Sequence, residues 1–146
     1  MRLSLHTDFG LRTLMYLSGL RKRATIGQIA EFFAISKDHL AKVVQHLTQL
    51  GMVRTVRGIG GGLELALPAE DITVGEVIEK LEGSTQLLEC VTARTQICVI
   101  QPQCRLRGVL AEANRVQMDY LRSIKLSEIA DPGVPLVSFP LTLGEF

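Results

Sequence analysis

An apolar helical repeat that runs straight into a glycine-rich hairpin dominates the N-terminal half of the chain. Residues 36–51 carry apolar side chains three and four positions apart, with Ser36 placed as the N-cap and Gly51 as the terminating glycine. This spacing predicts an amphipathic helix. The next segment, MVRTVRGIGGGLELALP, alternates apolar and polar residues on either side of a run of glycines. The alternation predicts two antiparallel strands joined by a tip that tolerates positive φ angles.

A second, shorter helix precedes this unit. Thr25 and Gln28 form a T-x-x-Q capping box ahead of an apolar face, and a turn at residues 34–36 separates this helix from the next one. Two helices joined by so short a turn are typical of a helix-turn-helix. With the two-stranded hairpin added, the sequence predicts a mainly α fold with a small β wing, a winged helix-turn-helix.

The rest of the chain divides into further helices and irregular segments. We expect a largely buried helix over residues 7–20, capped by Thr7 or Asp8, and a short helix that a capping box of Thr73 and Glu76 begins. The domain organisation is then a winged helix-turn-helix domain over 1–82, a loop over 83–105, a long helix over 106–125 and an irregular C-terminal segment over 126–146.

One apolar face runs along the predicted long helix. Its members lie three and four positions apart: Leu106, Val109, Leu110, Ala113, Val116, Tyr120 and Leu121. So small a domain has little core left to cover such a face, and pairing with a second copy of the chain would bury it. We therefore predict a homodimer formed through this helix.

Charge is distributed unevenly along the chain. Residues 1–67 hold nine Lys and Arg against four Asp and Glu, a net charge of +5, whereas residues 68–146 have a net charge of −4. A basic half is typical of a protein that binds a polyanion, and for a winged helix-turn-helix that polyanion is double-stranded DNA. The candidate contacts are Ser36, Lys37, Asp38, His39, Lys42, Gln45, Arg54, Arg57 and Gly60, with His46 and Gln49 on the same helix face and Lys22 and Arg23 as further phosphate contacts.

Other functional classes find less support in the sequence. No apolar run approaches the roughly 18 residues of a membrane span, and the first residues lack the apolar core of a signal peptide. We therefore expect a cytoplasmic protein with no membrane partner. The stretch RGIGGG lacks the Lys-Ser/Thr ending of a nucleotide-binding P-loop, and no nucleophile signature accompanies the three histidines. We do not expect an enzyme.

Three cysteines, Cys90, Cys98 and Cys104, fall within fifteen residues. Their spacing, C-x7-C-x5-C, differs from the C-x2-C pairs of zinc ribbons and dithiol oxidoreductases. Soft thiolates suit an iron–sulfur cluster, although a cubane cluster needs four ligands and this segment offers three cysteines. Three separate thiols, or a redox pair with a spare thiol, are also consistent with the spacing.

The chain resembles the bacterial winged-helix iron–sulfur repressors over nearly all of residues 1–130. The resemblance rests on MRLSLHTDFGLRTLMYL, ISKDHLAKVVQHLTQLGMVRTVRGIGGGLELA, ITVGEVI and LLECVTARTQICVIQPQCRLRGVLAEA. It implies that Cys90, Cys98 and Cys104 bind an iron–sulfur cluster, which would make residues 83–105 a cluster-binding loop. It also implies a repressor that binds an inverted-repeat operator as a homodimer.

Two branches of this family differ in the fourth ligand. In the branch that senses nitric oxide, an aspartate at the start of the first helix completes a [4Fe–4S] site from the other subunit, and Asp8 occupies that place here. In the other branch, a histidine three residues after the last cysteine serves a [2Fe–2S] cluster, but that position is Arg107 here. The resemblance thus implies a repressor that nitric oxide releases from DNA. A [2Fe–2S] cluster or a redox disulfide is the alternative.

Overall fold

The computed structural model describes residues 2–20, 22–93, 95 and 97–130 of the chain. This part contains seven α-helices and one two-stranded antiparallel sheet, so the predicted mainly α fold with a β wing is confirmed. The elements are α1 (Leu5–Leu20), α2 (Ile26–Phe32), α3 (Lys37–Gln49), β1 (Val53–Val56), β2 (Gly62–Leu65), α4 (Val74–Glu82), α5 (Glu89–Thr92), α6 (Arg105–Ser123) and α7 (Leu126–Ile129), with 3₁₀ turns at Ala69–Asp71 and Gln101–Gln103.

The hydrophobic core lies where α1 packs against α3 and α4. Helix α3 contributes the apolar repeat seen in the sequence, and its members Leu40, Val43, Val44 and Leu47 are all buried. Leu14 of α1 and Val77 of α4 meet them in the same cluster. Because the apolar face of α3 is turned inward, its polar face is directed to solvent.

The turn between α2 and α3 fixes the direction of α3. Ala34 has a φ of 53°, a left-handed conformation that is uncommon for a residue with a Cβ, and the amide of Ile35 donates to the carbonyl of Ala30 at 2.9 Å. Gly51, with a φ of 71°, ends α3 as predicted. The helix-turn-helix is therefore closed by local backbone geometry at both ends of α3.

The wing is fastened to the helical domain along one edge. In the hairpin, Val53 faces Leu65 and Val56 faces Gly62, and the tip turns through glycines with positive φ at 58 and 60. On its other edge, β2 exchanges two backbone hydrogen bonds with Ala24: the Ala24 amide donates to the Leu63 carbonyl at 3.1 Å, and the Leu63 amide donates back at 2.7 Å. These bonds hold the wing to the residues that precede α2.

The end of the long helix α6 is tied to the winged domain by a short antiparallel backbone contact. The amide of Val74 donates to the carbonyl of Ile124 at 2.9 Å, and the amide of Leu126 donates to the carbonyl of Ile72 at 2.8 Å. Helix α6 thus has one end anchored beside α4, while its N-terminal end carries the cysteine segment, residues 89–104.

The start of α1 differs from the sequence-based expectation. The helix begins at Leu5 rather than at residue 7, and its cap is Ser4 rather than Thr7 or Asp8. The Ser4 hydroxyl accepts a hydrogen bond from the amide of Thr7 at 3.2 Å, and Thr7 itself is buried. Earlier initiation places Asp8 inside the first turn instead of at the boundary.

Two other caps are incomplete. The side chain of Ser36 makes no capping hydrogen bond, although α3 begins after it as predicted. Thr73 accepts from the amide of Glu76 at 3.2 Å, but the Glu76 carboxylate binds Lys80 at 2.6 Å. An ion pair within α4 has replaced the second half of the expected capping box. The capping box of Thr25 and Gln28 is confirmed.

Two segments expected to be irregular contain regular structure. The loop expected over 83–105 includes the one-turn helix α5 and the 3₁₀ turn at Gln101–Gln103, and the segment expected to be irregular from residue 126 begins with α7. The remainder of that C-terminal segment, 131–146, lies outside the described residues. None of the helices in the described ranges combines the length and apolar character needed to cross a bilayer.

Candidate nucleic-acid interface and cysteine segment

The outer face of α3 is an unengaged polar surface. Lys37, Asp38, His39, Lys42 and Gln45 are all exposed, as is Ser36 at the start of the helix. None of their side chains forms a hydrogen bond or ion pair with another described residue. Such a set of donors and acceptors is available to base edges and phosphate oxygens.

His46 does not belong to that outer face. Its Nδ1 lies 3.0 Å from Nε2 of His6, which joins α3 to the first turn of α1. Desolvation lowers the pKa of His6, the neighbouring His46 lowers it further, and Glu82 opposes the shift. The sequence reading placed His46 on the same helix face as the candidate DNA contacts, but its side chain is partly buried and is directed to His6 of α1.

The start of α1 is held by α4. The amide of Ser4 donates to Glu82 Oε1 at 2.7 Å. Partial burial acts to raise the pKa of Glu82, but hydrogen bonds from Thr7 and Ser4, helped by His6, outweigh it and leave the pKa below its usual range. The first turn of α1, which carries Asp8, therefore has a fixed position in the domain.

Asp8 is available at the surface. Its side chain is 38% exposed and pairs with Arg12 one turn later, at 3.0 Å for both contacts. An exposed pair of this kind contributes little to stability, since water and salt screen it. The carboxylate can therefore exchange Arg12 for another partner at small cost.

Glu64 of the wing pairs with two arginines, Arg54 of β1 and Arg23 of the segment before α2. It accepts from Arg54 Nε at 2.6 Å and from Arg23 Nε at 2.7 Å. Hydrogen bonds from Arg23 and then Arg54 lower the pKa of Glu64, and their positive charges add to the effect. Arg57, beside the exposed tip residue Gly60, makes no hydrogen bond or ion pair with any described residue. Of these arginines, Arg57 is the one whose charge is fully available to DNA.

Sequence reasoning missed the role of Glu64, although a signal was present. Arg54 and Glu64 lie directly opposite each other in the hairpin register. Counting back from the glycine tip would have paired them, because opposite residues in antiparallel strands interact. Arg23 could not have been added in this way, since its approach depends on the bridge between Ala24 and β2.

The three cysteines differ in local structure and in exposure. Cys90 lies in α5 and is half-buried, Cys98 is exposed, and Cys104 is the half-buried N-cap of α6. No disulfide joins them. Within the described part of the chain, no three or more His, Cys, Asp or Glu side chains come close enough together to hold a metal ion.

The donor set nevertheless fits an iron–sulfur cluster chemically. Thiolates are the ligands that such clusters use in most proteins. Cys104 stands at the N-terminus of the 19-residue helix α6, where amides without intrahelical partners and the helix dipole favour a negatively charged group. A cluster with four protein ligands would need a fourth ligand of another kind, because no fourth cysteine occurs in the sequence.

Comparison with known proteins settles the family. A model of the Rrf2 family, described as an iron-dependent transcriptional regulator, matches residues 3–132. The chain belongs to the Rrf2 family. The resemblance to bacterial winged-helix regulators predicted from the sequence is thereby confirmed.

Similar Rrf2 proteins include several transcriptional regulators named NsrR. NsrR of Bacillus subtilis strain 168 is 47% identical over 115 residues, which are 77% of this chain and 79% of that protein. NsrR of Shouchella clausii is 37% identical over 131 residues, 88% of each chain. The chain is therefore a DNA-binding transcriptional repressor, and the expectation that it is not an enzyme is confirmed.

Solved structures agree on the Rrf2 fold. CymR, the global cysteine regulator of B. subtilis, superposes with a TM-score of 0.74 at 23% identity and covers 89% of this chain and 96% of its own. The IscR of T. potens has a TM-score of 0.72 at 24% identity, with 92% and 89% covered. The oxidized form of Staphylococcus aureus CymR has a TM-score of 0.70 at 26% identity, with 90% and 97% covered.

Proposed function

We propose that the protein is a homodimeric repressor that releases an inverted-repeat operator when nitric oxide is present. Its sensor would be a [4Fe–4S] cluster held by Cys90, Cys98 and Cys104, with Asp8 of the partner subunit as the fourth ligand. The observation that carries the proposal is the placement of three cysteines within fifteen residues, ending at the N-cap of α6, in a chain of the Rrf2 family. The relatives named NsrR support the nitric-oxide branch.

The DNA-binding half of the proposal rests on α3 and the wing. Two α3 helices of a dimer would enter successive major grooves, which lie about 34–36 Å apart on one side of B-DNA. The exposed side chains of Lys37, Asp38, His39, Lys42 and Gln45 would meet bases and phosphates there, and the narrow wing tip with Arg57 would reach the adjacent minor groove.

The sensing half rests on the different chemistry of the two kinds of ligand. A bound cluster would supply iron that reacts with nitric oxide. The three thiolates are soft ligands that match this iron well, whereas the Asp8 carboxylate is a hard ligand that leaves more readily. On leaving, Asp8 would return to Arg12, which already pairs with it in this structure. Because α1 packs on α3, losing this bond between subunits would free the two α3 helices to change their separation.

One experiment joins the two halves. Protein purified without oxygen should contain about four iron and four sulfide per chain and absorb visible light. Titration with nitric oxide, followed in one sample by absorption and by operator binding, should lose the cluster spectrum and the operator complex together. Equal operator affinity for intact, nitric-oxide-treated and metal-free protein would refute the coupling.

A metal-free redox repressor is the second candidate. It is favoured by the exposure of Cys98 and by the likeness to S. aureus CymR, which has been solved in an oxidized form. It predicts iron-free protein whose operator binding changes between reductant and a mild thiol oxidant. Peptide mass spectrometry would then find a disulfide among Cys90, Cys98 and Cys104, which the cluster proposal does not require.

A further inference from the structure

Helix α5 carries the first cysteine but is too short to be stable on its own. It is a single turn, Glu89–Thr92, and none of its residues is buried. Isolated helices this short are unstable, because nucleation is costly and one turn brings few hydrogen bonds. The position of Cys90 must therefore be set by contacts from elsewhere in the chain.

Two side chains from downstream elements supply those contacts. Gln101 Nε2 donates to the carbonyl of Cys90 at 3.5 Å, and Arg107 Nη2 donates to the carbonyl of Val91 at 3.3 Å. These consecutive carbonyls lie in the last turn of α5, where carbonyls have no intrahelical partner. Gln101 and Arg107 thus each donate a hydrogen bond to a carbonyl at the C-terminal end of α5.

Gln101 also reaches the other two cysteines through the backbone. Its side-chain Oε1 accepts from the backbone amide of Ile97 at 2.8 Å, and its backbone amide donates to the Cys98 carbonyl at 3.1 Å. The amide of Cys104 donates to the carbonyl of Gln101 at 3.4 Å. One glutamine therefore contacts the backbone of all three cysteines.

We propose that Gln101 and Arg107 are positioning residues that fix the turn carrying Cys90 relative to the backbone of Cys98 and Cys104, so that three thiols can serve one cluster. The proposal rests on the cluster function proposed above. Arginine remains protonated and offers no lone pair to a metal, so Arg107 acts on the Val91 carbonyl and not as an iron ligand. Its positive charge also favours the negative charge that thiolate ligands bring to the segment.

The first test uses the metal-free full-length chain. Gln101→Leu removes both side-chain hydrogen bonds of Gln101 at nearly constant volume. The alkylation rate of Cys90 should rise about fivefold, the factor expected for the loss of one net hydrogen bond, and amide exchange over 89–93 should accelerate. The rate for the already exposed Cys98 should stay the same.

Two further variants separate the Cys90 contact from general disruption of the segment. Gln101→Glu keeps an acceptor for the Ile97 amide but loses the donor to the Cys90 carbonyl, so it should also speed alkylation of Cys90. Gln103→Leu changes an exposed glutamine of the same 3₁₀ turn and should leave Cys90 at its native rate. Equal Cys90 rates in native protein, Gln101→Leu and Gln101→Glu would overturn the proposal.

The second test uses anaerobically reconstituted protein and an iron chelator. Gln101→Leu and Arg107→Met should lose visible absorption about fivefold faster than native protein and Gln103→Leu. If native protein takes up no cluster while Gln101→Leu still loosens Cys90, the positioning role stands and the cluster function fails. If native protein holds a cluster that all the variants retain equally well, the positioning role is wrong and the cluster function stands.

Discussion

At the scale of single residues, Glu64 determines how much of the positive charge on the wing and the segment before α2 is available to DNA. It occupies Arg23 and Arg54 with its two carboxylate oxygens, whereas Arg57 has no partner among the described residues. The charge count of the N-terminal half therefore overstates the charge available to phosphates. Arg57 is expected to contribute more to DNA binding than either paired arginine.

Replacing Arg57 tests this ranking. Arg57→Ala should weaken operator binding and reduce the slope of log K against log salt concentration by about 1, the value expected for one lost phosphate contact. Lys80→Ala, which removes a paired lysine of α4, is the control and should leave the slope unchanged. A native slope for Arg57→Ala would remove Arg57 from the interface.

Releasing the paired arginines should have the opposite effect. Glu64→Gln removes the carboxylate charge that holds Arg23 and Arg54, so binding to nonspecific DNA should tighten and the salt slope should steepen by up to about 2. The native pairs form above the lowered pKa of Glu64 and are lost as the pH falls through it. Native protein and Glu64→Gln should therefore differ at neutral pH and converge in acid. Identical salt slopes at neutral pH would contradict this account.

At the scale of elements, a close approach at Gly75 sets how α6 meets α4. A Cβ at this position would lie 2.6 Å from both the backbone nitrogen and Cγ of Arg122. Arg122 in turn pairs with Glu79 of α4. The helices can come this close only because residue 75 has no side chain.

A methyl group at that contact should therefore be costly. Gly75→Ala should reduce the free energy of unfolding in urea by about 1–3 kcal/mol, the usual range for overpacking against backbone. Gly27→Ala is the control, because a Cβ there meets only Thr25 Oγ1 at an ordinary 3.7 Å. Gly27→Ala should be neutral or slightly stabilising. Unchanged stability for Gly75→Ala would mean that α6 sits further from α4.

The elements that sequence predicted well are those built from local signals. The capping box of Thr25 and Gln28, the end of α3 at Gly51 and the glycine tip of the wing depend on neighbouring residues alone. Helix α7 was missed because a backbone bond from Leu126 to distant Ile72 stabilises it. Helix α5 was missed because Gln101, eleven residues beyond Cys90, holds it.

The candidate site follows the same division. The outer residues of α3 were predicted from helical spacing and are indeed exposed. His46 satisfied that spacing equally well, but its partner is His6, forty residues earlier, which no local pattern reveals. The pairing of Arg23 with Glu64 likewise depends on tertiary structure.

At the scale of the whole molecule, α6 presents a stripe that one chain leaves uncovered. Leu106, Val109, Val116 and Tyr120 are each more than half exposed, with Ala113 exposed between them. Leu110 and Leu121, which the sequence reading assigned to the same face, are only partly exposed and lie with the buried Met118. The exposed residues of the stripe are spaced alternately three and four positions apart, as in a coiled-coil seam. We therefore continue to propose a homodimer formed through α6.

A charge on this stripe should separate the subunits. Val116→Asp should shift the protein to monomer in analytical ultracentrifugation and weaken operator binding, since a buried unpaired carboxylate is costly. Gly108→Asp adds the same charge at an open position about a third of a turn around α6 from the middle of the stripe. This variant should remain dimeric. A dimeric Val116→Asp would place the interface elsewhere.

The proposed ligand from the partner subunit is also a whole-molecule feature. Asp8→Asn removes the carboxylate charge at constant size, so the cluster should be lost faster to a chelator while the three thiolates still bind it. Glu70→Gln, an exposed acidic residue in a 3₁₀ turn, is the control and should behave like native protein. Native cluster lifetime and native nitric oxide response in Asp8→Asn would exclude Asp8 as a ligand.

The two backbone bonds between Ala24 and Leu63 have a further consequence. They join β2 to the residues just before α2, and α2 packs against α3, so the wing and α3 belong to one rigid unit. In the proposed dimer, a signal from the cysteine segment would then change the distance or tilt between two such units. Regulation would then change the spacing between the two units while each unit keeps its own shape. The base-pair preference of each half-site should therefore be the same before and after the signal.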